Sequence, residues 1–504
     1  MSVLPSSCNT LVFKIAEVHD ISRAPKLKRL LKTRHLSMVA IGGAIGTGLF
    51  VASGATVAQA GPGSAIIVYA LVGIMVYFLM TSLGELTTYT PLSGSFASFG
   101  SRYVDEGFGF AIGWNYWYNW AITVAVDLAA AQLVMKYWLP NTPGVLWSVL
   151  FLVIIFLLNY ISVRGFGEGE FVFSSIKIIV VTLFLITGLS MVVGVLLDSN
   201  PSTGWQNLTT AEAPFVGGIP AMLSIAMVAA FSFQGTELIG VAAGESDNPS
   251  KSIPQAIRKI FWRILLFYIL AIFIISILIP YTDPNLLRNE ATDIAISPFT
   301  LVLKRAGLAS AAAVMNAVVL TSVLSAGNSG MYAATRTLYA LATEGKAPRI
   351  FAKLSANGIP QNALYATTIV ALLCSLTMLF PEKTVYVWLL NLSAMTGIIM
   401  WLGIAICHYR FRKGFLLQGH ALNTLPYRAK WFPFGSIFAL LCCFLIILGQ
   451  SLQSILSGQI NWLSFLGAYV SIPLFLITWL VYRVVRKVHI VSYQAMDFTR
   501  PTNR

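Results

Sequence analysis

Five ionisable side chains fall inside long apolar runs or near their ends: Glu85, Asp127, Lys177, Glu237 and Glu245. A charge at the centre of a bilayer costs roughly 2.5–3.5 kcal/mol or more, so each needs a partner or a use. Glu237 directly follows a polar interruption, Phe231-Ser232-Phe233-Gln234-Gly235-Thr236-Glu237, in the apolar run from about 218 to 244. There a carboxylate can meet the cationic part of a ligand; the plainer alternative is a cap on a broken helix end. Glu245 lies eight residues on. On a helix that is about 12 Å along the axis and about 80° round, so the two do not form a shared-proton dyad. A proton relay, an inner gate and a salt bridge at the end of the span are the readings open to Glu245. Lys177 needs carbonyl or carboxylate partners, and proton exchange and a fixed structural cation fit it equally. Asp127 and Glu85 are candidate partners for it; for both, a local structural ion pair is the preferred reading.

A second interruption carries backbone rather than side-chain chemistry. Gly42-Gly43-Ala44-Ile45-Gly46-Thr47-Gly48 sits within the apolar run from about 37 to 60. Glycine in a membrane often serves only close helix packing. Four glycines in seven residues exceed that need. Gly46, Thr47 and Gly48 can present N–H groups at the start of a half-helix, where donors and the positive dipole end attract a carboxylate. Carbonyls from Phe231 to Gln234 can accept from an α-ammonium. Together the two patches would read the zwitterionic head of an amino acid. In Trp114-Asn115-Tyr116-Trp117-Tyr118-Asn119-Trp120 most of the aromatics fit an interfacial belt. Tyr116 and Trp120, four apart on one helical face, can line a cavity along an aliphatic substrate chain, with Phe231 as a lid.

The elements that position these groups are membrane spans. The chain has 504 residues, 57% hydrophobic and 10% charged, and its mean hydropathy is +0.76. A soluble domain carries about 25% charged residues. About twelve runs of spanning length follow one another, at 37–60, 64–88, 107–136, 144–162, 170–196, 218–245, 260–281, 306–341, 361–380, 384–409, 432–455 and 462–486. An unwound backbone is tolerated at bilayer depth only inside protein or along a cavity, so breaks in the first and sixth runs point to a site at the midplane. An offset of five spans predicts two five-helix repeats, 37–196 and 218–409, the second inverted, followed by two helices over 432–486. Tails at 1–36 and 487–504 complete the chain. The expected fold is all-α and integral to the membrane.

The net charge is +14, but it follows the loops rather than forming a nucleic-acid surface. Lys and Arg concentrate before the first span, after the even-numbered sixth, eighth and tenth, and at the close of the twelfth, which places both termini in the cytoplasm. The five histidines lie in tails, loops or span ends, so proton exchange would fall to Glu or Lys. The five cysteines show no metal spacing, no cofactor motif is present and no G-x-x-x-x-G-K-[ST] segment occurs. A membrane enzyme would need a nucleophile–base pair, which is not visible. The 36-residue N-terminal tail has room for a protein partner without identifying one.

The segments IGGAIGTGLFVASG (41–54), PLSGSFASFG (91–100), GWNYWYNW (113–120), FSFQGTELIGVAAGES (231–246) and SAGNSGMYAATRTLYALA (325–342) resemble bacterial amino-acid permeases of the amino acid–polyamine–organocation superfamily. NYISVRGFGEGE (159–170) and EGKAPRIFAKLS (344–355) are similar to the lysine-specific subgroup in particular. The resemblance runs from about 29 to about 490. It implies a LeuT-like five-plus-five inverted repeat with two added helices, in a bacterial inner membrane. It places a substrate carboxylate at Gly46-Thr47-Gly48 and an α-ammonium on carbonyls near Ile45, Phe231 and Ser232. By the same resemblance Glu237, beside Gly235, faces a cationic side chain, Glu245 contributes to coupling, and Lys177 stands where relatives hold a sodium ion, which favours proton coupling. The implied substrate is L-lysine, imported with protons by alternating access. A broader basic amino-acid permease, an exchanger or a lysine sensor are the alternatives.

Overall fold

The computed structural model describes residues 38, 45–91, 95–161, 163–194, 201–242, 248–286, 297–305, 307–456, 458 and 462–499. Gly42, Gly43, Ala44 and Glu245 lie outside the described residues. The described chain is helical, and ten of its helices are long and apolar enough to cross a membrane. In chain order, α1 is Gly48–Tyr89, α2 is Ser95–Tyr103, α3 is Glu106–Met135, α4 is Gly144–Ile161 and α5 is Val163–Val192. Next come α6, Gly218–Phe233, and α7, Leu238–Ala242, then α8, Ser250–Leu278. Further along come α9, Pro298–Arg305, α10, Ala309–Thr343, α11, Gln361–Met378, α12, Glu382–Leu417, α13, Phe434–Gly449, α14, Trp462–Tyr469, and α15, Ser471–Arg486; short helices also lie at Pro201–Gln206 and Leu452–Leu456.

Local chemistry explains the boundaries that matter. The first and second expected spans are one 42-residue run, turned at Gly61, whose φ of 82° only glycine adopts readily. Pro62 opens the helix beyond it, where a missing N–H costs nothing. Asp105 caps α3 by accepting a 2.7 Å hydrogen bond from the Phe108 N–H. α6 stops at Phe233 because Gln234 turns extended (ψ 148°) and Gly235 takes a φ of 94°. The twelfth span is interrupted: α14 and α15 are separate helices that meet at Val470.

α3 is the axis of the bundle, buried along nearly its whole length, whereas α4 and α11 bury one side only. It packs against α10, α12 and α2, while α1 packs against α6. Outward faces stay apolar, with Leu146, Ile161, Leu441, Phe444 and Val484 exposed, as a lipid-facing surface requires. The protein is a multi-pass helical membrane protein. The aromatic run of α3 divides: Trp114, Trp117 and Tyr118 are half-buried, and Tyr116 and Trp120 are buried with the two asparagines. α12 runs two turns beyond the expected end at 409, carrying Arg412 into the buried interior, and His408, at the end of the expected span, is buried as well. His408 is therefore not a peripheral histidine.

Candidate binding site between two broken helices

Ile45 and Gly46 are non-helical, and the helix proper begins at Gly48 with Thr47 before it. The Gly46 carbonyl accepts a 3.0 Å bond from the Phe50 N–H. Both glycines serve close approach: a Cβ on Gly48 would strike the Ser232 backbone, and one on Gly46 would strike Ala326 of α10. The two interruptions thus lie against each other. Tyr69 of α1 ties them further, its hydroxyl 2.9 Å from Ser232 Oγ.

Beyond Phe233 the chain turns so that the Glu237 carboxylate folds back on its own break. It accepts from the Gly235 N–H at 3.2 and 3.1 Å, from the Thr236 hydroxyl at 3.5 Å and from Trp401 Nε1–H of α12 at 3.3 Å. Tyr116 and the buried Arg263 of α8 are its electrostatic neighbours. Tyr116 and Trp120 stand edge-to-face with centroids 6.3 Å apart, and Phe96 of α2 packs 4.7 Å from Tyr116. Gln234 is pinned to α12, donating to the Ser393 and Ala394 carbonyls at 3.2 and 3.3 Å. From Ser393 a polar ladder crosses to α3: Thr123 Oγ1 lies 2.6 Å away, and Thr396 donates to Asn119 Oδ1 at 2.9 Å.

The Phe231 carbonyl is partly occupied. It already accepts from the Gln234 N–H at 3.1 Å, because the chain tightens into a turn at the break. It is not a free acceptor; it has one lone pair left.

The Thr47 hydroxyl donates to Asp127 Oδ1 of α3, which joins the first break to a second polar cluster. Lys177 of α5 is buried, with Asp127 and Glu170 as its charged neighbours. Glu170 accepts from Ser325 of α10 at 2.9 Å and from Ser174 at 3.3 Å. Asp127 thus touches the first break as well as neighbouring Lys177, and Glu170 is a further candidate that sequence reasoning passed over. The signal was there: Glu170 precedes Lys177 by seven residues, two helical turns, and so shares its face.

Glu85 is no partner of Lys177. Arg412 grips it with both Nε, at 2.6 Å, and Nη2. The Ala429 N–H adds a 2.7 Å bond, and His408 Nε2 lies 3.4 Å away. Among the described residues no group of three or more His, Cys, Asp or Glu is placed to hold a metal.

Interrupted helices meeting at a buried polar site, inside a bundle otherwise coated with apolar side chains, define a membrane transport protein. The chain belongs to the amino acid permease family, whose profile matches residues 35–494. It is 64% identical to the lysine-specific permease LysP of Escherichia coli (strain K12), over 95% of this chain and 97% of that one. It is 51% identical to the lysine-specific permease LysP of Lactococcus lactis subsp. cremoris (strain MG1363), over 94% and 93%. With the histidine permease HisP of the same organism it shares 48% identity, over 94% and 98%.

Proposed function

We propose that the protein imports L-lysine by proton symport with alternating access across a bacterial inner membrane, with both termini cytoplasmic. The observation that carries this is Glu237: a buried carboxylate at a helix break, hydrogen-bonded only by neutral groups among the described residues, next to two aromatic rings. The N–H groups of Gly46, Thr47 and Gly48 take the substrate carboxylate, helped by the positive end of the half-helix. Carbonyls of Ile45 and Ser232, with the remaining lone pair of Phe231, take the α-ammonium. The butyl stem lies along Tyr116 and Trp120, and the ε-ammonium reaches Glu237. Phe231 closes over the ligand. The lysine permeases among the relatives support this choice of side chain.

Coupling is assigned to Lys177 with Asp127 and Glu170, and to Glu237 and Glu245. Thr47 links the substrate patch to Asp127, so a proton gained or lost at Asp127 is felt at the helix that holds the carboxylate. Uptake of labelled lysine into proteoliposomes, with and without a pH gradient, tests the reading. Acid-outside vesicles are expected to accumulate lysine without sodium; uptake that needs sodium and ignores pH defeats it. A second reading, an amino-acid exchanger of wider range, draws on the similarity to the histidine permease. Vesicles preloaded with lysine separate the two, since an obligate exchanger stays idle when empty.

A further inference from the structure

Residues 488–499 follow α15 as an extended segment interrupted only by one short turn of helix at Tyr493–Ala495. Apolar and polar residues are mixed along it without a regular period, and from Val491 on the segment is bound to the bundle. Val491 N–H donates to the Val104 carbonyl at 2.8 Å, at the start of α3. Arg410 of α12 donates to the carbonyls of Tyr103 and Val491, and its guanidinium lies 4.9 Å over the Tyr493 ring. Gln418, just past α12, turns its amide nitrogen toward the carbonyls of Tyr493, Gln494 and Met496, at 2.9, 3.2 and 3.0 Å. Met496 and Phe498 are buried, while Gln494, Ala495, Asp497 and Thr499 are exposed.

Phe498 makes the most ring contacts of the segment. Its ring packs on Tyr103, Phe411, Phe415 and His420, with centroids 6.1, 5.7, 5.4 and 5.3 Å away. Its carbonyl accepts from the Tyr89 hydroxyl at 2.8 Å. Arg102 of α2 closes the rim, donating to the Thr499 carbonyl at 3.2 Å and lying 3.9 Å from Asp497.

These contacts join the two walls of the candidate site. Tyr89 ends α1, which packs on broken α6. Phe411 and Phe415 lie near the end of α12, with Gln418 just past it, and α12 holds Gln234 and Trp401 at the same break. Tyr89 also packs directly on Phe411 and Phe415, with centroids 5.3 and 5.7 Å away, and Arg412 holds Glu85 one turn earlier. Phe498 adds a further tie across the same junction, so an opening that parts Tyr89 from α12 must also release Phe498. We propose that residues 488–499 form a strap that keeps this end of the bundle closed, with Phe498 as its pin, and that release of the strap opens the path to the site. The proposal rests on the transport reading above.

Cys407 supplies a native probe. It is 3% exposed, on α12 one turn before Phe411, and close enough to Tyr103 to interact with it electrostatically. The test compares four proteins: wild type, Phe498→Ala, Gln418→Ala and, as the extreme case, a truncation after Ile490. Site-resolved alkylation of Cys407 in purified protein is expected to quicken at least tenfold in Phe498→Ala and severalfold in Gln418→Ala. Lysine exchange in proteoliposomes is expected to rise about twofold or more. Unchanged Cys407 labelling in both point variants overturns the proposal, as does faster labelling with unchanged exchange, which would make the segment a cover and not a restraint. A wild type that carries no lysine would sink the transport reading instead, and labelling would still decide whether the strap closes this end.

Discussion

Glu85 and Glu237 are buried alike, at 0% and 1% exposure, yet they are held in opposite ways. Glu85 has a permanent guanidinium, Arg412, a backbone N–H and an imidazole around it. Glu237 receives hydrogen bonds from a backbone N–H, a hydroxyl and an indole, and feels Arg263 only through space. The first carboxylate is neutralised and acts as a rivet between α1, α12 and the loop before α13. The second is oriented by neutral hydrogen-bond donors, which suits the cation-binding role proposed for it. On the proposed reading, a buried acid serves binding where the fold gives it neutral hydrogen bonds in place of a direct ion pair.

The comparison breaks most visibly at Glu85. Glu85→Gln leaves Arg412 buried without its charge partner and should cost about 3–5 kcal/mol of stability, read as a lowered melting temperature in detergent. Replacing Glu85 and Arg412 together with leucine should recover much of that loss, since the rivet is then apolar. Glu237→Gln should melt close to wild type but lose about 2–5 kcal/mol of lysine affinity, the range for removing a desolvated charge partner. Binding unchanged within error would reject its role. Thr47→Val keeps the shape at the first break and removes the bond to Asp127. It should cost about 1.5–3 kcal/mol, the range for a hydrogen bond to a charged group, with a shift in the pH profile of uptake larger than any change in lysine affinity. Trp401→Phe removes one neutral donor from Glu237 and should weaken lysine binding by only about 0.5–1.5 kcal/mol.

The sequence shows the second break plainly because a Gln-Gly-Thr-Glu segment inside an apolar run is costly in lipid unless the helix opens there onto protein or a cavity. The structure adds the local reason, a positive φ at Gly235. Tyr116 and Trp120 were also legible, since helical spacing alone puts them on one face. Other features escaped for identifiable reasons. Thr47 and Asp127 are 80 residues apart, and no local pattern pairs them. Arg412 reads as part of a basic loop with Arg410 and Lys413, because charge hides the two extra turns of α12 that a buried carboxylate stabilises. Glu170 stands among glycines at the start of an apolar run and looks peripheral until Ser325 and Lys177 are placed around it. The strap was missed because its anchors, Val491, Tyr493, Met496 and Phe498, are spaced among polar residues without helical or strict strand period.

The central claim is that Glu237 reads the side-chain ammonium while the broken helices read the zwitterionic head. The most direct test measures the affinity of purified protein for L-lysine and for L-norleucine, which keeps the head and the butyl stem but lacks the ε-ammonium, in wild type and in Glu237→Gln. The account predicts that wild type prefers lysine at least 30-fold, a margin matching the lower end of the charge-pair range, and that the variant loses most of this preference while still binding norleucine. An equal preference for lysine in both proteins would contradict it.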